Sequence, residues 1–115
     1  MADEVKVTVR KHGSAAILDM QGDVTSFADG MLKSIVNSTI EEGFQRIVLN
    51  FAEVSYINSS GIAVLIGIVT KFTSQGIAFN VYGLTMHFRK IFRMIGLTQY
   101  VNVLNSEAEA LEAFS

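Results

Sequence analysis

The spacing of apolar residues switches along this chain between the two-residue period of strands and the longer period of helices, and that switch most constrains the fold. Apolar and polar residues alternate at 5–10, and a glycine-containing turn at 11–14 precedes an apolar run at 15–20, so a β-hairpin is predicted. Further short apolar runs at 46–51 and 78–82 alternate with helical segments. A hairpin followed by alternating helices and strands predicts an α/β fold with a mixed β-sheet covered by helices.

Four segments have the apolar spacing of helices that pack one face against a sheet. The first is expected to begin at a Thr25 or Ser26 cap and to end at Gly43. Ser106, with Glu109 three residues later, has the form of a capping box before the last helix. An extended segment precedes that helix, so the sheet is expected to have four to five strands. The predicted helices lie at about 25–43, 59–75, 84–96 and 106–114, and the extended segment at about 101–104.

Composition limits the class of protein. The chain has 115 residues, half of them hydrophobic, so it can bury a two-layer core without disulfides and we expect one domain covering 1–115. Its net charge is −2 and its nine Lys and Arg residues are scattered apart from those at 89–93, which disfavours nucleic-acid binding. The absence of cysteine excludes thiolate chemistry and fits a reducing compartment, so we expect a cytoplasmic protein.

No membrane segment is expected either. The longest strongly apolar run without charge, 61–69, is too short to cross a bilayer, and the amino terminus lacks the basic and apolar pattern of a signal peptide.

Catalytic patterns are also missing. The sequence has no nucleophile elbow, no phosphate-binding glycine loop and no paired catalytic carboxylates, so we do not expect an enzyme. His12 and His87 are far apart, and neither has a cluster of ligands around it, so no metal or other cofactor is implied.

The segment 54–62 brings two serines to the start of a predicted helix. A strand pattern ends at Ser59 and Ser60, and a helical pattern begins directly after them. The first amides of a helix lack partners and the helix dipole is positive there, so the chain would tolerate a phosphate on either serine. A partner docked on the same surface would meet about two new negative charges, so this position suits a phosphorylation switch.

The residues around the serines also resemble a known family. Tyr56 to Ile62 is similar to the Asp-Ser-Ser-Gly-Leu signature of STAS domains, best known from bacterial anti-sigma factor antagonists. Other segments match in the family's order and spacing, so the resemblance covers nearly the whole chain. These segments are Gly22-Asp23, 46–51, and 92–97 followed by 106–111.

The resemblance implies a non-enzymatic regulator of transcription. In that family the unphosphorylated domain binds an anti-sigma factor that is also a serine kinase, phosphorylation ends the binding, and a phosphatase resets the serine. Ser59 would be the modified residue, and Ser60 the less favoured one. The small STAS scaffold proteins of stressosomes are similar too, so assembly with other STAS proteins in a stress response is the alternative. A small-ligand module is a third possibility, by fold analogy alone.

Two residues depart from the family pattern. Asn50 stands where the family usually has Asp at the end of a strand, and Asn58 stands where it usually has Asp before the serine. Both positions, which lack the family's usual negative charge, are expected to flank the phosphorylation switch. Asn caps a helix as well as Asp does, so the helix start should persist, but a kinase that contacts the acidic side chain would lose a charged contact.

The helix that begins at Ser59 is expected to have one core face and one docking face. The predicted core face consists of Ile62, Leu65, Ile66, Val69 and Phe72. The opposite face carries Ser60, Ala63, Val64, Gly67 and Lys71 and has no charge before the lysine. With the residues near the serine, the predicted partner-binding set is Asp23, Asn58, Ser60, Gly61, Ala63, Val64 and Gly67.

Alternatives remain open for this docking face. The loop at 22–27 would cover it, or Gly67 would ease internal packing or allow another backbone to approach. Asp23 would tune the serine by its charge, or it would be a turn or cap residue. On the third helix, a second contact patch or an ordinary solvated face is formed by Met86, His87, Arg89, Lys90, Arg93 and Met94.

Overall fold

The structure is a computed structural model that describes residues 5–114, in which five strands and four α-helices form. The strands are β1 (Lys6–His12), β2 (Ala15–Val24), β3 (Arg46–Ile57), β4 (Ala78–Tyr82) and β5 (Val101–Leu104). The helices are α1 (Ala28–Glu41), α2 (Ser59–Thr73), α3 (Met86–Met94) and α4 (Glu107–Glu112), with a 3₁₀ turn at Leu97–Gln99 after α3. The predicted α/β class is confirmed. The first residues, on which the expected absence of a signal peptide rests, lie outside the described range.

The five strands form one mixed sheet in the order β1-β2-β3-β4-β5. β1 and β2 pair antiparallel as the predicted hairpin, with Lys6 opposite Gln21 and His12 opposite Ala15. The pairs β2–β3, β3–β4 and β4–β5 are all parallel. Because parallel strands end at the same edge, the chain enters α1, α2 and α3 along one edge of the sheet, which is where sites lie in open α/β sheets.

β2 and β3 extend beyond the predicted apolar runs. β2 continues to Val24 and β3 to Ile57, and the added ladder pairs Asp23 with Tyr56 and Val24 with Ile57. The register shifts between Gly22 and Asp23, and Gly22 has a φ of 101°, a left-handed conformation that glycine adopts readily. The alternative that Asp23 is a turn or cap residue is therefore wrong, since it pairs within a strand.

The two faces of the sheet are covered by different helices. Alternate strand residues point to opposite faces, so the neighbours Ile17 and Leu18 belong to different clusters. Leu18 lies in the large cluster that α1, α2 and α3 cover, whereas Ile17 packs with Val48 and with Ala110 of α4. The large cluster includes the fully buried Phe72, Phe79 and Val81.

The predicted helix starts have different outcomes. Ser106 Oγ accepts the amide of Glu109 at 3.2 Å, which confirms the cap of α4. The cap of α1 was predicted at Thr25 or Ser26, but the capping position is Phe27, which makes no side-chain cap bond. Thr25 Oγ1 accepts the amide of Phe27 at 3.3 Å, and this local turn delays the start of the helix.

Candidate functional site

The serine pair occupies the first two positions of α2, with both side chains exposed. Asn58 caps this helix: its Oδ1 accepts the amide of Gly61 at 2.7 Å, and its carbonyl accepts the amide of Ile62 at 2.9 Å. The first turn of α2 carries no acidic residue, so the chain does not neutralise the positive end of the helix dipole. A phosphate on Ser59 or Ser60 would therefore lie in a favourable field beside helix amides.

Removing the Asn58 cap tests this arrangement. Asn58→Ala is expected to lower the free energy of unfolding by about 1 kcal/mol, because an amide of the first turn loses its acceptor. Asn58→Asp should keep or raise stability, since a carboxylate caps equally well and interacts favourably with the dipole. Urea unfolding followed by circular dichroism measures both variants. An equal loss of stability in both would show that the cap is not the source of the effect.

Gly61 presses the start of α2 against the end of β2. The amide of Asn58 donates to the carbonyl of Val24 at 3.3 Å, which holds the cap in place. Gly61 is buried against the same carbonyl, and a Cβ atom at position 61 would lie 2.1 Å from its oxygen. The prediction that Gly61 belongs to the partner-binding set is therefore wrong, because the chain itself covers this residue.

The exposed face of α2 is narrower than predicted. Ser60, Ala63 and Gly67 are exposed, so the loop at 22–27 does not cover them, and a Cβ atom at position 67 would meet nothing within 4 Å. Val64 is only 8% exposed and belongs to the core, so its predicted place on the docking face is wrong. The reason is the 3.6-residue turn, which puts Val64 in line with buried residues one turn on either side. The buried stripe consists of Gly61, Val64, Leu65, Ile68, Val69 and Phe72.

Exposed apolar side chains that the sequence prediction missed surround this region. Phe27, which precedes α1, is 77% exposed, and Tyr56, near the end of β3, is 55% exposed. Phe27 follows Val24 by three residues, and Val24 bonds directly to the cap of α2. Met31, one turn further along α1, is 39% exposed. Phe27 and Met31 both fall outside the buried stripe of α1, which consists of Ala28, Leu32, Val36 and Thr39.

Asp23 lies beside the serine pair through the same ladder. It is half-buried and is paired with Tyr56, and the next residue, Val24, contacts the cap residue Asn58. The structure thus brings Asp23 to the edge where Ser59 begins α2.

Asn50 lies away from the serines. β3 continues from Asn50 to Ile57, which at about 3.3 Å per residue separates Asn50 from the end of the strand by about 20 Å. Its Nδ2 donates to Asp19 Oδ1 at 2.6 Å and its Oδ1 accepts the amide of Ala52 at 2.9 Å. The prediction that Asn50 ends the strand and flanks the switch is wrong, because the strand is longer than its apolar run.

Asn50 belongs instead to a charged cluster. Arg10 donates to the carboxylates of Asp19 and Glu107, and Tyr82 donates to Glu107 at 2.9 Å. The hydrogen bonds to Arg10 lower the pKa of both carboxyls and raise the pKa of Arg10. Burial, followed by the bond to Glu107, raises the pKa of Tyr82 to about 12. The cluster joins α4 to β1 and β4, so its role is to hold the fold.

A recess that includes Ile57, next to the start of α2, is too small for a ligand. It lies between the end of β3 and the start of α3 and has a volume of about 10 Å³, about that of one water. Its lining includes Ile57, Gly83 and Thr85. Within residues 5–114, no group of three or more His, Asp or Glu side chains could hold a metal ion, and no helix is long and apolar enough to span a membrane.

This mixed sheet with its four helices has counterparts among known proteins. The STAS domain family matches residues 6–110, and the chain belongs to that family. It is 26% identical over 110 residues to BtrV of Bordetella bronchiseptica, a candidate anti-sigma factor antagonist, with 96% of this chain and 95% of BtrV covered. It is 21% identical over 109 residues to the anti-sigma-F factor antagonist RsfB of Mycobacterium tuberculosis, with 95% of this chain and 88% of RsfB covered.

Solved structures share the fold. The anti-sigma factor antagonist of Mycobacterium paratuberculosis superposes with a TM-score of 0.78 at 16% identity, covering 95% of this chain and 92% of that one. The Bacillus protein SpoIIAA, solved in its phosphorylated form, gives 0.71 at 18% identity and covers 96% of this chain and all (100%) of its own. A Ser-to-Glu variant of RsbS from Moorella thermoacetica superposes with a TM-score of 0.78 at 12% identity, covering 94% of this chain and 93% of that one.

Proposed function

We propose that this protein is a non-enzymatic anti-sigma factor antagonist. Unphosphorylated, it binds an anti-sigma factor that is also a serine kinase, and phosphorylation of Ser59 ends that binding. The observation that carries this proposal is an exposed serine at the positive end of α2, bordered by exposed apolar side chains. The names of BtrV and RsfB support the same function for a chain of this family and length.

The proposed binding surface follows from exposure around the serine. Ala63 and Gly67 are small, so the outer face of α2 has no large side chains at these positions and a partner backbone can approach it closely. Phe27, which follows the Val24 contact with the cap by three residues, provides an exposed aromatic side chain, and such side chains are common anchors in protein interfaces. Asp23, Asn58 and Ser60 complete this surface, which consists of side chains with little charge.

Phosphorylation would act on the complex and not on the fold. The start of α2 offers helix amides to a phosphate on Ser59 and its first turn carries no acidic residue, so the free protein tolerates the phosphate. In a complex the phosphate would have to lose its hydration shell against an apolar partner surface, which costs several kcal/mol unless cations on the partner pair with it. The phosphate on Ser59 would thus leave the free protein folded but destabilise its complex with the partner.

Asn58 favours the phosphorylated state electrostatically. An aspartate at this position would place a carboxylate next to the phosphate on Ser59, and like charges this close repel. Asn58 supplies the cap without that repulsion. We infer that the kinase recognises this site through the surface around it and that a separate phosphatase removes the phosphate. Neither ATP nor a metal ion is a cofactor of this chain in this scheme.

Substitutions at Ser59 test the proposal. We expect Ser59→Asp to weaken binding to the partner anti-sigma factor at least about tenfold, because it adds a charge to the interface. Ser59→Ala adds no charge and should keep the affinity within about threefold of the original value. Ser38→Asp, on the exposed side of α1, is the charge-matched control and should behave as the unaltered protein. Isothermal titration with the purified partner measures all four proteins, and phosphopeptide mapping after incubation with ATP identifies the serine.

Two outcomes would contradict this function. Equal affinity of the Ser59→Asp and Ser59→Ala proteins would remove the switch. Large homotypic or mixed STAS assemblies at micromolar concentration, detected by native mass spectrometry, would favour the scaffold role, in which the same exposed apolar residues contact other STAS domains.

A further inference from the structure

The outer side of α3 combines exposed methionines with positive charge. Met86 is 87% exposed and Met94 is 77% exposed, and the exposed Lys90 and Arg93 lie between them. Positions 86, 90, 93 and 94 are spaced by helical turns, so these four side chains form one stripe, termed the α3 face. Two exposed methionines with two cations between them can contact both apolar and acidic groups of a partner.

The rest of α3 is fixed, so the α3 face cannot turn inward. On the inner side, the buried Phe92 packs edge-to-face against Phe51, with 5.8 Å between ring centroids. At the start of the helix, Thr85 Oγ1 accepts the amide of Phe88 at 3.2 Å. The apolar side of α3 is therefore committed to the core, and the methionines are presented to solvent by a rigid helix.

The positive charge of the α3 face has no counter-charge in the part of the chain that the structure describes. Lys90 and Arg93 form no ion pair among residues 5–114, and α3 contains no acidic residue. They repel each other across one helical turn. The helix dipole favours a cation near the end of α3, which accounts for Arg93 but not for the exposed methionines. Carboxylate partners are found elsewhere in the chain for Arg10, Lys11 and Lys33.

The spacing of these groups matches a helix of opposite charge. Met86 and Met94 are eight residues apart, or about 12 Å along the axis, which is the separation of apolar side chains two turns apart on another helix. Lys90 and Arg93 lie between them, where carboxylates on that helix would be within reach. Methionine adapts its shape to apolar partners, so the contact does not require close prior complementarity.

A membrane suits this surface less well than a protein does. A helix that lies on a bilayer buries a continuous apolar face among the lipids, whereas the continuous apolar face of α3 is already in the core. Nucleic acid is disfavoured too, since only two cations of the α3 face would pair with the phosphate backbone and two methionines would lie against it.

We propose that the α3 face docks an acidic amphipathic helix of a partner protein. Apolar side chains of that helix contact Met86 and Met94, and its carboxylates pair with Lys90 and Arg93. The α3 face lies on a different helix from Ser59, so the protein would have a second binding surface in addition to the proposed switch.

The test uses the full chain and a fluorescein-labelled synthetic helix with leucine at every third or fourth position and glutamate elsewhere. Fluorescence anisotropy should show saturable binding of this peptide and none of a matched peptide with lysine in place of glutamate. Lys90→Glu/Arg93→Glu should weaken binding at least about tenfold, and Met86→Ser/Met94→Ser at least about fivefold. Thermal melting verifies that each variant is folded.

Matched controls separate the α3 face from net charge and from the switch. Lys6→Glu/Arg46→Glu makes the same change in charge at exposed residues of the strands β1 and β3, and it should change the affinity for the peptide less than about twofold. Ser59→Asp should also change this affinity less than about twofold. No binding of the glutamate peptide, or an equal loss in the charge-matched control, would overturn the proposal. So would binding to phosphatidylglycerol vesicles without binding to the peptide, because the surface would then serve a membrane.

Discussion

Gly61→Ala is expected to lower the free energy of unfolding by about 3 kcal/mol, because the start of α2 has no space for one methyl group. The added Cβ would lie 2.1 Å from the carbonyl oxygen of Val24 and 2.7 Å from its carbonyl carbon. Both are backbone atoms of a paired strand, so they cannot rotate away as a flexible side chain would. Relief requires α2 to move from β2, and that movement would also break the bond from the amide of Asn58 to Val24.

Gly67→Ala, six residues further along the same helix, is the matched control. A Cβ atom at position 67 meets nothing within 4 Å, so this variant should gain about 1 kcal/mol from the helix preference of alanine over glycine. Urea unfolding of the two variants under identical conditions gives both values. Similar effects of the two substitutions would show that the close approach at Gly61 does not govern the stability of this region.

The contrast between these glycines explains why helix α2 was only partly predictable. Almost every residue from 61 to 69 is small or apolar, so the sequence offers little contrast between a core side and an outer side. Val64 was placed outside although it is buried, and Ile62 and Ile66 were placed in the core although they are only partly buried. The buried side is set by where β2 and β3 end, and that depends on contacts distant in sequence.

Strands were predicted well where their residues alternate or form an apolar run, and poorly where they do not. β4 and β5 match the predicted bounds, because each is a short apolar segment between turns. The last residues of β2 and β3 are polar or mixed and were missed, since their strand form comes from pairing with each other across the register shift at Gly22. This is also why Asn50 was placed near the switch although it lies within β3.

The position of the serine pair at a helix start was predictable, but the exposed surface near it was not. A serine pair before a helical pattern places Ser59 at a helix start from local rules alone, and Asn58 was expected to cap that helix. Phe27 lies in a segment that looked like an ordinary loop, and no local rule shows that its ring stays in solvent. Its exposure results from the turn at Thr25, which directs the chain into α1 without burying the residue before it.

Phe27→Ala is therefore expected to weaken binding to the anti-sigma factor by about 30-fold, equivalent to about 2 kcal/mol, while leaving the free energy of unfolding within about 0.5 kcal/mol of its original value. The ring is 77% exposed, so the fold gains little from it, whereas a partner that covers the serine would bury it. Tyr100→Ala is the matched control, because Tyr100 is an aromatic residue 45% exposed beyond α3. The affinity of the Tyr100→Ala protein for the anti-sigma factor should not change.

Isothermal titration and urea unfolding of both variants separate the two effects. Loss of binding together with loss of stability would mean that Phe27 supports the fold, and unchanged binding would restrict the interface to α2. Loss of binding alone, in Phe27→Ala but not in Tyr100→Ala, would place the partner across the junction of β2, α1 and α2. That junction is where one backbone carbonyl, that of Val24, both bonds to the cap and packs against Gly61. A partner there would contact both Ser59 and the backbone that supports it, so a phosphate on Ser59 would lie within the interface.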